Sequence, residues 1–148
     1  MSADAKQTLP IQVQWHGGDI VFTPADEDRF LLGTQASIVP SQGKLAVGQF
    51  VDQFKTDLLP RVRQWCEQHA EKLLACYIPF GFEQLTVFAV TRLPRYDFSL
   101  SDSIADFEMD LFEAHWPVEV RQIPSGSPET LDSFFNSAES IQVYGHTE

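Results

Sequence analysis

Leu85-Thr86-Val87-Phe88-Ala89-Val90-Thr91-Arg92-Leu93 is a nearly unbroken apolar run, rich in β-branched residues, with a Gly-containing loop before it and Pro94 after it. A strand half in water alternates apolar and polar side chains, so this run predicts a strand covered on both faces. The segments that follow fit helices and strands laid against it. Ile104, Phe107, Leu111 and Phe112 form a helical stripe. Ser101 and Ser103 offer N-caps for that helix, and Asp102 and Asp106 sit early in it, where negative charge suits the helix dipole. Trp116-Pro117 closes the helix, and Val118–Ile123 alternates as a strand. Ser127-Pro128-Glu129 has Ser as a cap and Pro at the first helical position, and Leu131, Phe134, Phe135 and Ala138 supply a buried face. Ile141–Tyr144 is a last strand. Strand, helix, strand, helix, strand with short links predicts a parallel βαβαβ unit.

Upstream the pattern changes. Ile11, Val13 and Trp15 alternate with Gln12 and Gln14, and Gly17-Gly18 separates them from Asp19-Ile20-Val21-Phe22. Two glycines between such runs predict a tight hairpin, because its turn needs positive φ. Closing on Gly17-Gly18 pairs His16 with Asp19, Trp15 with Ile20 and Val13 with Phe22. That register puts all four large apolar side chains on one face, and a slip of one residue destroys the match. Pro24–Asp28 reads as a polar turn. Phe30–Leu32 and Ala36–Val39 read as a third strand interrupted at Gly33 and closed by Pro40–Gly43. Val47, Phe50, Val51, Phe54 and Leu58 then recur at helical spacing. Pro60 breaks or bends this helix, and the period resumes through Val62, Trp65, Cys66, Leu73, Leu74 and Tyr77. Ile78–Phe82 reads as a hydrophobic loop. The expectation is an α/β (or α+β) fold with one mixed sheet: an N-terminal antiparallel meander, helices, then the βαβαβ unit. Residues 1–148 suit a single globular domain with residues 1–8 frayed.

Charge is uneven. The chain carries a net charge of −11, with seven Lys or Arg against nine acids up to Leu74 and only Arg92, Arg95 and Arg121 against twelve acids afterwards. This opposes phosphate backbones, so a nucleic-acid partner is not expected. A solvated acidic surface is the ordinary explanation, and an acidic face for a cationic partner is the sharper one. Cys66 and Cys76, read on one helix, stand about 15 Å apart, too far to bridge. Free thiols, a reducing compartment and a cytoplasmic location follow as expectations. Met1–Lys6 lacks a signal pattern, and no apolar run approaches membrane-spanning length, so no membrane partner is expected.

Chemistry-bearing patterns are few. Ligands of parallel sheets sit beyond the carboxyl ends of the strands. Arg92 and Arg95 lie at one such end, and Ser125-Gly126-Ser127 lies at another, leading into a helix start. Free N–H groups and hydroxyls there can hold an anion, although a simple cap and turn explain the same residues. The glycine spacing matches neither a dinucleotide fingerprint nor a P-loop. Cys66 and His69 lack the further ligands a structural zinc needs, and neither has an orienting group for nucleophilic catalysis. Asp102, Asp106 and Asp110 with Glu113 read as a solvated helix face. There is no Gly-x-Ser-x-Gly elbow, and no cofactor is implied. The aromatic loops are less ordinary. Phe80 and Phe82 in one, Tyr96 and Phe98 in the next, must be buried in the protein's own core or against a partner. These features predict a non-enzymatic protein-interaction module with a protein partner or a second copy of itself. The alternative is a small-molecule, anion-binding or enzymatic domain using a cleft near residues 92–97 and 124–128.

Overall fold

The computed structural model describes residues 10–17, 19–38, 47–82, 84–126 and 128–145. In chain order these form strands β1 (Ile11–Gln12), β2 (Gln14–His16) and β3 (Asp19–Val21), then helices α1 (Pro24–Gly33), α2 (Val47–Gln53) and α3 (Leu59–Gln68). Strands β4 (Leu73–Pro79) and β5 (Thr86–Thr91), helix α4 (Phe98–Glu113), strand β6 (Glu119–Ile123), helix α5 (Pro128–Asp132) and strand β7 (Ser140–Tyr144) follow. The fold is α/β. Its five-stranded sheet has the order β1-β7-β4-β5-β6, and β2 and β3 make a separate two-stranded sheet.

Every residue of β5 is buried, as its unbroken apolar run requires. On one face Val87 and Ala89 join a core built from Ile11, Cys76, Val120, Ile141 and Val143 of the sheet and from α1 to α4. On the other face Phe88 and Val90 pack with Ala75, Tyr77, Ile123 and Phe135. The Phe88 and Phe135 rings stack with centroids 4.9 Å apart. Each fully buried side chain of this size contributes about 1.5–3 kcal/mol of transfer free energy. β5 and β6 pair in parallel across α4, as expected. β7 does not lie beside β6. It crosses the sheet to pair in parallel with β1 and antiparallel with β4. β4, antiparallel to both β5 and β7, is thus the one strand of this sheet that runs against the others.

The hairpin has the register predicted from Gly17-Gly18: Trp15 opposes Ile20, and His16 opposes Asp19. Gly17 takes φ +66°, and Gly18 lies outside the described residues. Val13, Trp15, Ile20 and Phe22 all pack against the main core. The rest of the expected meander is corrected. Pro24–Asp28 is not a turn, and Phe30–Leu32 is not a strand; both belong to α1. Thr23 caps that helix by accepting from the Asp26 N–H, Pro24 stands in its first turn, and Asp26 and Glu27 supply negative charge there. Thr34–Ile38 continues it as a π-helical turn, replacing the expected Ala36–Val39 strand; Val39 and the expected turn at 40–43 lie outside the described residues. β1 joins the main sheet through β7 instead of continuing a meander.

Around Pro60 the helical segment changes character without leaving the helix. Phe54–Leu58 is π-helical, and Leu59-Pro60 starts α3. The helix does not reach Tyr77. It ends at Gln68, and Leu73–Pro79 is the central strand β4. Cys66 on α3 and Cys76 on β4 are therefore on different elements that meet in the same buried core, which replaces the expected 15 Å separation along one helix. Both thiols are free and buried. α4 starts at Phe98, with Asp97 as its cap in place of Ser101 or Ser103. Ile104, Phe107 and Leu111 are buried as expected, but Phe112 is 63 % exposed. In the α5 segment Phe135 is buried, whereas Phe134 is exposed.

Candidate functional site

The parallel pairing of β5 with β6 brings the two strand-end loops together. Ser125 N–H donates to the Leu93 carbonyl at 3.0 Å, and its hydroxyl donates to the Arg92 carbonyl at 3.1 Å. Gln122 extends the junction like an extra peptide unit. Its Oε1 accepts from Asp97 N–H at 2.8 Å, and its Nε2 donates to the Asp97 carbonyl at 2.9 Å. The Ser125 hydroxyl is thus engaged with backbone. A Cβ on Gly126 would stand 2.9 Å from Thr130, so close packing explains this glycine. Ser127 lies outside the described residues. Arg95 is exposed. The Arg92 guanidinium turns away from Ser125, and its Nε donates to the Ala70 carbonyl at 3.2 Å.

That turn takes Arg92 to a different concavity. A groove of about 810 Å³ opens where the chain leaves β1 for the hairpin and diverges from β7. Trp15, Arg63, Glu67, Leu74, Arg92 and Tyr144 line it. It lies at the carboxyl end of β7, where α/β sheets place ligands. Arg63 organises one wall: its Nε meets Glu67 at 3.1 Å, its Nη1 donates to the Gly17 carbonyl at 3.1 Å, and its guanidinium carbon sits 4.5 Å from the Trp15 ring centroid. Trp15 Nε1 donates to the Val143 carbonyl at 3.3 Å and fixes the indole over the end of β7. Gly145, also at this edge, takes φ +93°, and a Cβ there would meet the Leu74 carbonyl oxygen at 2.5 Å. Burial holds the Tyr144 phenol above its ordinary value, with Cys66 and Glu67 adding to the shift and Arg92 opposing it. The phenol is therefore protonated at neutral pH and able to donate.

The aromatic loops divide. Phe80 is half-buried against the main core and lies over Gly33, where a Cβ would stand 2.4 Å from the ring. Phe82 packs edge-on to Phe88, with centroids 5.7 Å apart. Tyr96 and Phe98 stay outside, at 48 % and 80 % exposure, forming a T-shaped pair with centroids 4.8 Å apart. Phe98 opens α4, and its position there begins a second apolar stripe. Phe98, Ala105, Met109 and Phe112 recur at helical spacing on the face opposite Leu100, Ile104, Phe107 and Leu111. All four are exposed. Asp102, Asp106, Asp110 and Glu113 run beside this stripe, are exposed, and have no ion-pair partner among the described residues. Glu108 does otherwise: its carboxylate accepts from the Val120 N–H of β6 at 2.7 Å.

The α4 surface has a signal in the sequence, whereas the groove has none. The spacing of Phe98, Ala105, Met109 and Phe112 emerges only when the helix is started at Phe98. The grouping of Trp15, Arg63 and Tyr144 has no local signal, because hairpin, helix and last strand meet only in three dimensions. No helix among the described residues is long and apolar enough to cross a membrane. No family model, curated protein or solved structure matches this α/β chain.

Proposed function

We propose that this chain is a non-enzymatic protein-interaction module whose contact surface is the outer face of α4. The observation that carries the reading is the second apolar stripe, Phe98, Ala105, Met109 and Phe112, left in solvent on a helix already anchored by its other side. Water contact at three large apolar side chains on one helix face is unfavourable, and such faces are typically covered in a complex. Tyr96 extends the face at its start, and its hydroxyl is held by Ser101 Oγ at 2.9 Å. The flanking acids choose the partner. Two copies of this face would bring Asp102, Asp106, Asp110 and Glu113 against their own kind, so like-charge repulsion disfavours a dimer through it. A cationic amphipathic segment supplies both complements: an apolar stripe for Met109 and Phe112, and Lys or Arg for the acids. The same net charge disfavours nucleic acid as the partner.

The test compares the wild-type chain with the triple variant Phe98→Ser, Met109→Ser, Phe112→Ser, which changes only exposed side chains. A Leu/Lys amphipathic helical peptide titrated into both is expected to bind the wild type, to weaken as salt rises, and to bind the variant at least about tenfold more weakly. Equal binding to the two chains, or a salt-independent affinity, removes the reading. Sedimentation of the wild type alone covers the alternative occupant: a dimer dispersed by the same variant would show that a second copy, not a cationic partner, fills the face.

A further inference from the structure

The strand-end groove is independent of the α4 surface and has a different chemistry. In a chain of net charge −11, the described residues of its walls carry two guanidinium groups and one carboxylate. Arg63 is neutralised by Glu67. Arg92 has no carboxylate partner among the described residues, and only its Nε is engaged, by the Ala70 carbonyl. The terminal N–H groups of Arg92 therefore remain as a forked donor. Tyr144 lines the same groove, and Trp15, Leu74 and Val143 give it apolar surface. A volume of about 810 Å³ falls in the range of ordinary small-molecule sites.

We infer that this groove binds a monoanionic carboxylate bearing an apolar body, with the carboxylate on Arg92 and the Tyr144 hydroxyl and the body along Trp15, Leu74 and Val143. A single unpaired guanidinium matches a single negative charge. A phosphate dianion would carry excess charge past Glu67, and among the described residues no helix N-terminus lines the groove to receive it. A neutral ligand would leave the Arg92 fork without its complement. The Trp15 indole, pinned by Val143 and covered by Arg63, offers one rigid apolar wall at little entropic cost.

The experiment titrates decanoate into the full chain and reads Trp fluorescence and heat, with methyl decanoate and decyl phosphate as comparison probes. Decanoate is expected to bind at one site. Methyl decanoate, Arg92→Gln and Tyr144→Phe should each weaken it, the first two by about tenfold or more. Neither variant removes a buried side chain, so their thermal midpoints should stay near that of the wild type. The Phe98→Ser, Met109→Ser, Phe112→Ser variant is expected to bind decanoate like the wild type. No binding below the micelle concentration overturns the inference, as does equal affinity in Arg92→Gln or loss of binding in the α4 variant. Decyl phosphate binding more tightly than decanoate overturns the choice of a carboxylate.

Discussion

Cys66 shows how much turns on one side chain's neighbourhood. It and Cys76 are fully buried, one on α3 and the other on the central strand. Burial pushes the Cys66 thiol well above the ordinary thiol range, and its contact with Cys76 and the charge of Glu67 push it further in the same direction. The thiolate is the reactive form, so native Cys66 should resist alkylation at pH 8, whereas both thiols should react in denaturant. Linkage has a definite sign here. A raised folded-state value gives stability that is complete below the unfolded thiol's titration, about 8.5, and is lost as pH climbs towards the folded value. Chemical denaturation at several pH values should therefore show no loss from this group up to about pH 8 and a decline above it, absent in Cys66→Ala. Fast labelling of the native protein would contradict the packing. Burial of the pair was not legible in the sequence. Leu73, Leu74 and Tyr77 fit a helical period as well as a strand, and only burial on both faces decides between them. Gly33 was misleading for a related reason. It looks like a break in a strand, yet it lies in a helix, where the missing Cβ admits the Phe80 ring.

At the level of elements, the reading from sequence worked where one local pattern had one interpretation. The hairpin register follows from a two-glycine turn and four apolar residues that must share a face, and β5 follows from an unbroken β-branched run. α1 is not evident from sequence because Pro24–Asp28 fits polar-turn chemistry. Preceded by the Thr23 cap, the same stretch supplies a first-turn proline and dipole-favouring acids. The inner stripe of α4 is legible, but Ser101 and Ser103 resemble caps, and a helix started there omits Phe98 and with it the outer face. The proposed contact surface depends on this helix being held from behind, and Glu108 is part of that hold. β6 is the outer strand of the sheet, and outer strands invite pairing with other chains. Glu108 occupies the Val120 N–H at 2.7 Å and ties α4 to the same edge. Glu108→Ala should lower stability by about 1–2 kcal/mol, since a part-buried backbone donor loses a charged acceptor. Glu108→Gln, which keeps an acceptor oxygen, should recover most of the loss in urea denaturation. Equal loss in both variants would show that the carboxylate charge, not the hydrogen bond, holds the edge.

Over the whole molecule, the decisive contact is the least local one. β7 lies between β1 and β4, so residues 11–12 and 141–142 pair across nearly the entire chain. No sequence pattern announces this: a strand following β6 and a short helix would ordinarily be placed beside β6. The hydrophobic pattern specifies that Ile141 and Val143 are buried, but not between which neighbours. Once placed there, β7 joins the hairpin end of the molecule to the α4–β6 end through one sheet, and the core on the α1–α4 face includes residues from every helix on that side. The expectation of one folding unit can then be tested through the three tryptophans. Trp15 belongs to the hairpin, Trp65 stacks on Phe107 with centroids 4.8 Å apart, and Trp116 donates to Asp57 at 2.6 Å. Single-Trp variants should unfold with one shared midpoint. Ile141→Ala should move all three midpoints together, at a cost of about 2–5 kcal/mol, because the cavity opens in a sheet they share. A chain ending at Asn136 lacks the strand that bonds to both β1 and β4, and should show no cooperative near-ultraviolet transition. Two separate midpoints, or a truncated chain that still melts cooperatively, would mean that the β4–β5–β6 half folds without the strand that closes the sheet.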